Sequence, residues 1–408
     1  MTLNARNLTL IAVVIVIIGS ITYLESQKSR PSVSASLQEI VQCQNPGPDG
    51  SCTTTSSSIP ETVLSTGTDT KITDVPSNSE TSAYKAKATR YERFVEIVNP
   101  SGFINTGEVP VTISSLIGKK VVLVDFWTYS CINCQRTLPY LTDWYTKYRD
   151  SGLEIISIHT PEFEFEKDRT NVIMAAQRFG VEYPIIQDND FSTWRAYKNS
   201  YWPRKYLIDI DGFIVYDHIG EGAYAETESL IQNLLKERNE RLGETMTPVS
   251  STKVEAETVD PSKPRTPEIY FGSFRNSLLG NGARYINGTQ TLTLPSEFDS
   301  SILYLGGSWN IQTEYATPAN TPARVLLKYQ AQKVFMVARA NTPVRARVLI
   351  DGTVIPSSMR GADVGSDGYL TIQEDRLYRI VEGMSWGEHT LELIIESPEF
   401  EAFTFTFG

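Results

Sequence analysis

The chain has 408 residues, of which 40% are hydrophobic and 21% charged, with a formal net charge of −11 at pH 7. That length holds two or three domains with ordinary cores and excludes a chain disordered throughout. The acidic balance offers no broad cationic surface to a phosphate backbone, so nucleic acid is not an expected partner.

Asn7 to Leu24 carries no charged residue, and Leu8 to Ile18 is almost continuously aliphatic. At about 1.5 Å per residue the run spans roughly 27 Å as a helix, enough for a bilayer core. Residues 1–24 therefore read as a short cytoplasmic tail and an uncleaved transmembrane anchor, with a cleaved signal peptide as the competing reading. Val33-Ser34-Ala35 lies far beyond the run for a cleavage site, and no cysteine closes the run for lipoprotein processing. Arg6 before the run, and Lys28 and Arg30 after it, leave the positive-inside count undecided.

Residues 25–84 are rich in Ser and Thr, as in Thr53 to Ser58, and read as a flexible tether with a span of about 45 Å. Within it Cys43 and Cys52 enclose a Pro/Gly-rich loop, the setting of a small structural disulfide. Such a bond persists only in an oxidising compartment, which places the folded part on the extracytoplasmic side of the cytoplasmic membrane.

From 85 to 242 strand-like and helix-like patterns alternate, the signature of an α/β sheet domain. Strands are expected at Lys120 to Phe126, Leu153 to His159, Pro184 to Gln187, Arg204 to Asp209 and Phe213 to His218. Helices are expected over Cys134 to Arg149, Asp168 to Phe179, Phe191 to Tyr197 and Thr227 to Arg241, and Asp211-Gly212 marks a hairpin. The first strand leads directly into Trp-Thr-Tyr-Ser-Cys-Ile-Asn-Cys, Trp127 to Cys134. A cysteine at a helix start meets unpaired N–H groups and the positive end of the macrodipole, both of which favour thiolate. Cys134, one turn on, can reach the same sulfur, so the pair suits attack on a disulfide followed by internal resolution. A zinc half-site is the bland alternative, but the other candidate ligands are Cys43 and Cys52 in the tether and the scattered His159, His218 and His389. No metal and no cofactor is expected.

The linker 243–267 carries several X-Pro steps, and from 268 to 408 short alternating runs recur between turn residues. Val344 to Ile350 before Asp351-Gly352 is one run, and Phe403 to Phe407 is another. With no lasting helical period, this region reads as an antiparallel, jelly-roll-like β-sandwich.

Asp125-Phe126-Trp127-Thr128-Tyr129-Ser130-Cys131-Ile132-Asn133-Cys134, with Pro139 in the following helix, resembles a thioredoxin-fold active site. Tyr201-Trp202-Pro203 leading to Asp209 resembles the cis-proline strand of that fold. With His159-Thr160-Pro161-Glu162 and Leu377 to Leu391, the chain from roughly 90 to 408 is similar to the extracytoplasmic half of the DipZ branch of TlpA-like oxidoreductases. Proteins of that branch carry a multi-helix, CcdA-like domain before this half, whereas a single anchor reads here, so a separate CcdA-like membrane donor is implied.

The resemblance makes Cys131 the exposed nucleophile and Cys134 the buried resolving thiol. It makes Asp125 the buried carboxylate that accepts a proton from Cys134, with a pKa raised by desolvation. It gives Glu162 an acidic role beside the thiols, Pro203 a cis bond, and Trp127 and Trp202 the walls of the site. Ile132 and Asn133 supply no cation to Cys131, which implies a reducing or intermediate potential. The implied clients are proteins with disulfides to reduce or isomerise. A competing reading is a thiol peroxidase of the AhpC/TSA-like class, since Thr128-x-x-Cys131 is half of the peroxiredoxin pattern; its proline would fall at Val124. In another, the sandwich resembles a carbohydrate-binding module and holds a glycan or protein ligand; Trp309, Trp386 and Tyr315 are aromatic candidates for stacking on sugar rings, but aromatic residues of a β-sandwich are more often core, so no sugar-site residue is assigned.

Overall fold

Seven consecutive residues without a polar break, apart from Asp125, make up β2 (Val121–Trp127), which is buried at every position. A strand covered on both faces reads as such a run instead of an alternation. In the computed structural model, which describes residues 78–245, 254–260, 262–383 and 385–408, β2 sits inside a six-stranded sheet. The other strands are β1 (Gly102–Ile104), β3 (Leu153–His159), β4 (Ile185–Gln187), β5 (Arg204–Ile208) and β6 (Ile214–Ile219), in the order β1-β4-β3-β2-β5-β6. β3 runs parallel to β2 and β5 antiparallel to it. Helices α2 (Ile132–Tyr148), α3 (Arg169–Arg178), α4 (Ser192–Ala196) and α5 (Tyr224–Leu242) connect them. This is a thioredoxin-like arrangement, and each strand and helix expected between 120 and 241 is present within a few residues.

The three-residue β1, paired to β4, and helix α1 (Asn78–Arg90) were not expected, and α1 begins inside the stretch read as tether. Its Lys87 contacts Asp209 at 2.8 Å, Asp211 at 3.1 Å and Glu237 at 2.5 Å. Asp209 also accepts from the N–H of Asp211 and of Phe213, which fixes the hairpin at Gly212, φ 85°. The apolar run 7–24 and the Cys43/Cys52 pair lie outside the described residues. Among the described residues no helix is long and apolar enough to cross a membrane.

From 269 onward twelve strands form a single curled sheet: β7 (Ile269–Tyr270), β8 (Gly288–Leu292), β9 (Leu303–Ile311), β10 (Ala316–Pro318), β11 (Ala323–Ala331), β12 (Val334–Arg339), β13 (Val344–Ile350), β14 (Thr353–Val354), β15 (Tyr369–Ile372), β16 (Arg376–Val381), β17 (Gly387–Ile395) and β18 (Glu401–Phe407). All their pairings are antiparallel. The sandwich expectation is corrected in one respect, because the two halves are continuous through β9. Leu303 to Gly306 pairs with β11, and Gly307 to Ile311 with β8. Gly307, at φ 97°, takes the bend, and a Cβ on Gly306 would lie 2.9 Å from Leu294. A Gly-Gly step inside a strand thus turns a corner without a loop.

The aromatic candidates have structural partners. Trp309 is fully buried and donates to Gly306 O, Tyr315 packs on Phe403 at 5.3 Å, and Trp386 donates to Pro264 O in the linker.

The two folded regions share apolar contacts. In β18 the register against β12 shifts between Thr404 and Ala402, so Phe403 is the extra residue of a bulge. A bulge re-aims one side chain. Phe405 and Phe407 stay in the core of the curled sheet, while Phe403 packs on Phe163 at 5.0 Å and Phe165 at 4.8 Å. The described residues accordingly belong to one compact unit.

Candidate active site

Where β2 ends, Thr128 to Ser130 turn the chain and Cys131 becomes the N-cap of α2. The N–H of Cys134 points at Cys131 Sγ, 3.3 Å away, so the sulfur takes the place of the usual capping oxygen. Both cysteines are free; Cys131 is half-buried and Cys134 only 1% exposed. Burial is the first cause that pushes the Cys134 thiol up, followed by the neighbouring Cys131. The arrangement therefore presents one sulfur to the outside and keeps the other protonated within.

Beneath the pair lies Asp125, 1% exposed, and neither carboxylate oxygen has a hydrogen-bonding partner among the described residues. Desolvation pushes its pKa up to about 7, and the charge of Lys205 opposes that rise. Lys205 is the direct cross-strand partner of Asp125 on β5, is equally buried, and its own pKa is lowered by burial. Sequence reading missed Lys205. In sequence it is one of two adjacent charges, Arg204-Lys205, that open the strand after Pro203, and only the cross-strand register shows which of them faces Asp125.

The Trp202–Pro203 bond is cis. Trp202 donates from Nε1 to Thr160 O at 3.0 Å and packs on Trp194 at 4.3 Å. It lines a cleft of about 440 Å³ together with Cys131 and Ile132. Trp127 corrects an expectation: it is fully buried and meets the edge of His159 at 5.2 Å, so it supports the site from within and does not wall it. His159, also fully buried, stacks on Tyr129, and desolvation lowers its pKa to about 3. It is a neutral packing residue.

Glu162 reaches the same cleft, but its carboxylate is held from the second region by Arg275 at 2.6 Å and Tyr270 Oη at 3.0 Å. The fully buried acid is instead Glu166, which sequence reading missed. It accepts from Ser130 N–H and Oγ–H at 3.2 and 2.6 Å, and from the N–H groups of Glu162 and Phe163 at 2.6 and 3.0 Å. Burial first, and the Glu162 charge second, raise its pKa to about 7. It ties the residue before Cys131 to the loop that carries Glu162. Within Phe163-Glu164-Phe165-Glu166-Lys167 it looks like one more surface charge, so no sequence signal pointed to it. Among the described residues no group of three or more His, Cys, Asp or Glu is placed to hold a metal.

Residues 95–217 match the AhpC/TSA family, and residues 266–408 match the family described as thioredoxin like C-terminal domain. The chain is 36% identical to protein DipZ of Mycobacterium tuberculosis over 309 residues, which is 76% of this chain and 42% of that relative. It thus spans less than half the length of that protein. Over 142 residues it is 29% identical to the thiol-disulfide oxidoreductase YkuV of Bacillus subtilis, covering 35% of this chain and 93% of the relative. Over 131 residues it is 28% identical to the thiol-disulfide oxidoreductase ResA of Bacillus cereus, covering 30% and 73%. The dithiol at a helix N-terminus and the cis-proline beside it thus lie in a thioredoxin-like AhpC/TSA domain, followed by a thioredoxin like C-terminal domain, and the chain is similar to protein DipZ and to thiol-disulfide oxidoreductases.

Proposed function

We propose that the chain is a membrane-anchored, extracytoplasmic oxidoreductase that reduces or isomerises protein disulfides through Cys131 and Cys134. The observation that carries this reading is the half-buried Cys131 capping α2, with Cys134 buried one turn behind it above Asp125. Cys131 thiolate attacks one sulfur of the client disulfide; that S–S bond breaks, a mixed disulfide forms, and the released client thiolate takes a proton. Cys134 then gives its proton to the Asp125 carboxylate and attacks Cys131 Sγ. The client leaves with two thiols and the chain with one disulfide. The two electrons return from a membrane donor of CcdA type.

The test is the reduction potential of the pair, read by equilibration with defined thiol-disulfide buffers. A value near about −270 mV supports a reductase fed by a donor; one near about −120 mV makes the protein an oxidant and overturns the direction. Cys131→Ser should abolish turnover, and Cys134→Ser should accumulate mixed disulfides with clients. Turnover retained in Cys131→Ser would remove it as nucleophile.

A thiol peroxidase is the second reading, favoured by the AhpC/TSA match and by Thr128 at its place before Cys131. Against it, the Thr128 hydroxyl is fully buried and lies 3.5 Å from His159 Nε2, away from the cleft. Consumption of hydrogen peroxide by the purified protein decides between them.

A further inference from the structure

The cleft above Cys131 does not end at Trp202. A second groove, of about 370 Å³, shares Glu162, Trp202, Tyr270 and Arg275 with it and continues to Phe191 and Phe274. Trp202 and Phe191 come from the thioredoxin-like region, where their rings lie 6.5 Å apart edge to face. Phe274 comes from the curled-sheet region and is 73% exposed, the most exposed large apolar side chain among the described residues. It stands on a loop fastened by hydrogen bonds from Tyr285 N–H to Asn276 and between Ser273 and Asn287. Tyr285 and Ile286 of that loop are 62% and 57% exposed. A polar loop of this length has no need of three bare apolar side chains, and a cluster of them beside a cleft marks a contact surface.

Resting on the redox reading above, we propose that this groove receives a bulky apolar side chain of an extended polypeptide client, on one side of the cysteine that pairs with Cys131. The client sulfur must sit at Cys131, and the groove is continuous with that cleft, so a chain leaving the sulfur past Trp202 runs between Phe191 and Phe274. Arg275 holds the opposite edge. It stacks on Tyr270 at 3.8 Å and pairs with Glu162, which keeps the groove open between the two regions. The second region thereby selects clients and does not merely accompany the redox site.

The experiment compares the intact protein with Phe274→Ser on three probes: a disulfide-bearing peptide with Phe near its cysteine, the same peptide with Ser in place of that Phe, and oxidised glutathione. An apolar contact of this size is worth about tenfold in kcat/KM. The expected result is that wild type prefers the Phe peptide about tenfold, that Phe274→Ser loses that preference, and that the rates on the Ser peptide and on oxidised glutathione do not change. Because Phe274 is exposed, the variant keeps its fold. Equal rates on both peptides in wild type, or an equal fall on all probes in the variant, would overturn the proposal. So would unchanged peptide rates combined with lost binding to vesicles of anionic phospholipid, which would assign the loop to a bilayer. If no probe is reduced by wild type, it is the redox reading that fails.

Discussion

Asp125 and Lys205 are each 1% exposed and face one another across β2 and β5, so whichever protonation state they hold is held without water. With its pKa pushed up to about 7, Asp125 is carboxylate in only part of the population at neutral pH. In the proposed mechanism the resolution step uses that carboxylate, so its rate should climb between about pH 6 and 8; in Asp125→Asn it should be about 10²-fold slower and flat over this range, as read by single-turnover release of client thiol. Stability moves the other way. The folded chain keeps a proton on Asp125 that the unfolded chain gives up near its ordinary value of 3.8, so the benefit of the neutral form is full below that value and is lost as pH rises through about 7. Asp125→Asn should therefore raise stability by on the order of 2 kcal/mol at pH 8 and far less at pH 5, checked by thermal unfolding at both. The cysteines and Asp125 were legible because they follow one another along a strand and a helix start. Lys205 was hidden because its meaning depends on cross-strand register, which no local pattern carries.

At the scale of elements, the N-terminus of α2 is held by more than its own cap. Glu166 gathers donors from Ser130, Glu162 and Phe163 onto one buried carboxylate, so the turn before Cys131 and the loop after β3 move together. Glu166→Gln leaves one oxygen for four donors and turns an amide N–H₂ toward the others. Losing buried hydrogen bonds of this kind costs about 1–3 kcal/mol. We expect a fall in melting temperature well beyond that of Glu162→Gln, whose carboxylate bonds only to side chains of the second region. The strands and helices around this turn were readable from apolar runs and capping residues. The path of β9 was not, since a Gly-Gly step reads as a break between strands until its partners on both sides are known.

Across the whole molecule, the linker and the alternating runs suggested two bodies joined by chain, and the packing joins them by an aromatic contact instead. Phe403, Phe163 and Phe165 pack at about 5 Å, and ion pairs such as Arg178 with Glu374 at 2.7 Å flank them. Phe403→Ala should destabilise the chain by about 3–5 kcal/mol, because a fully enclosed ring leaves a cavity. Chemical denaturation should then show two separated transitions in place of one shared transition; a single unshifted transition would mean that the regions stay coupled without the Phe403 contact. None of this was visible in the chain alone, where Phe403-Thr-Phe-Thr-Phe407 is an ordinary alternation and the bulge that turns its first ring outward has no signature.

The same strand has a consequence in time. Thr404 and Thr406 of β18 line the cleft above Cys131, although they lie more than two hundred residues further along the chain. Synthesis runs from the N-terminus and domains fold as they emerge. A nascent chain thus displays its dithiol early but lacks the far wall of the cleft until Glu401–Phe407 has entered the sheet. The cleft is therefore complete only when segments far apart in sequence have met, and a chain in which Glu401–Phe407 has not yet paired presents its dithiol without that wall.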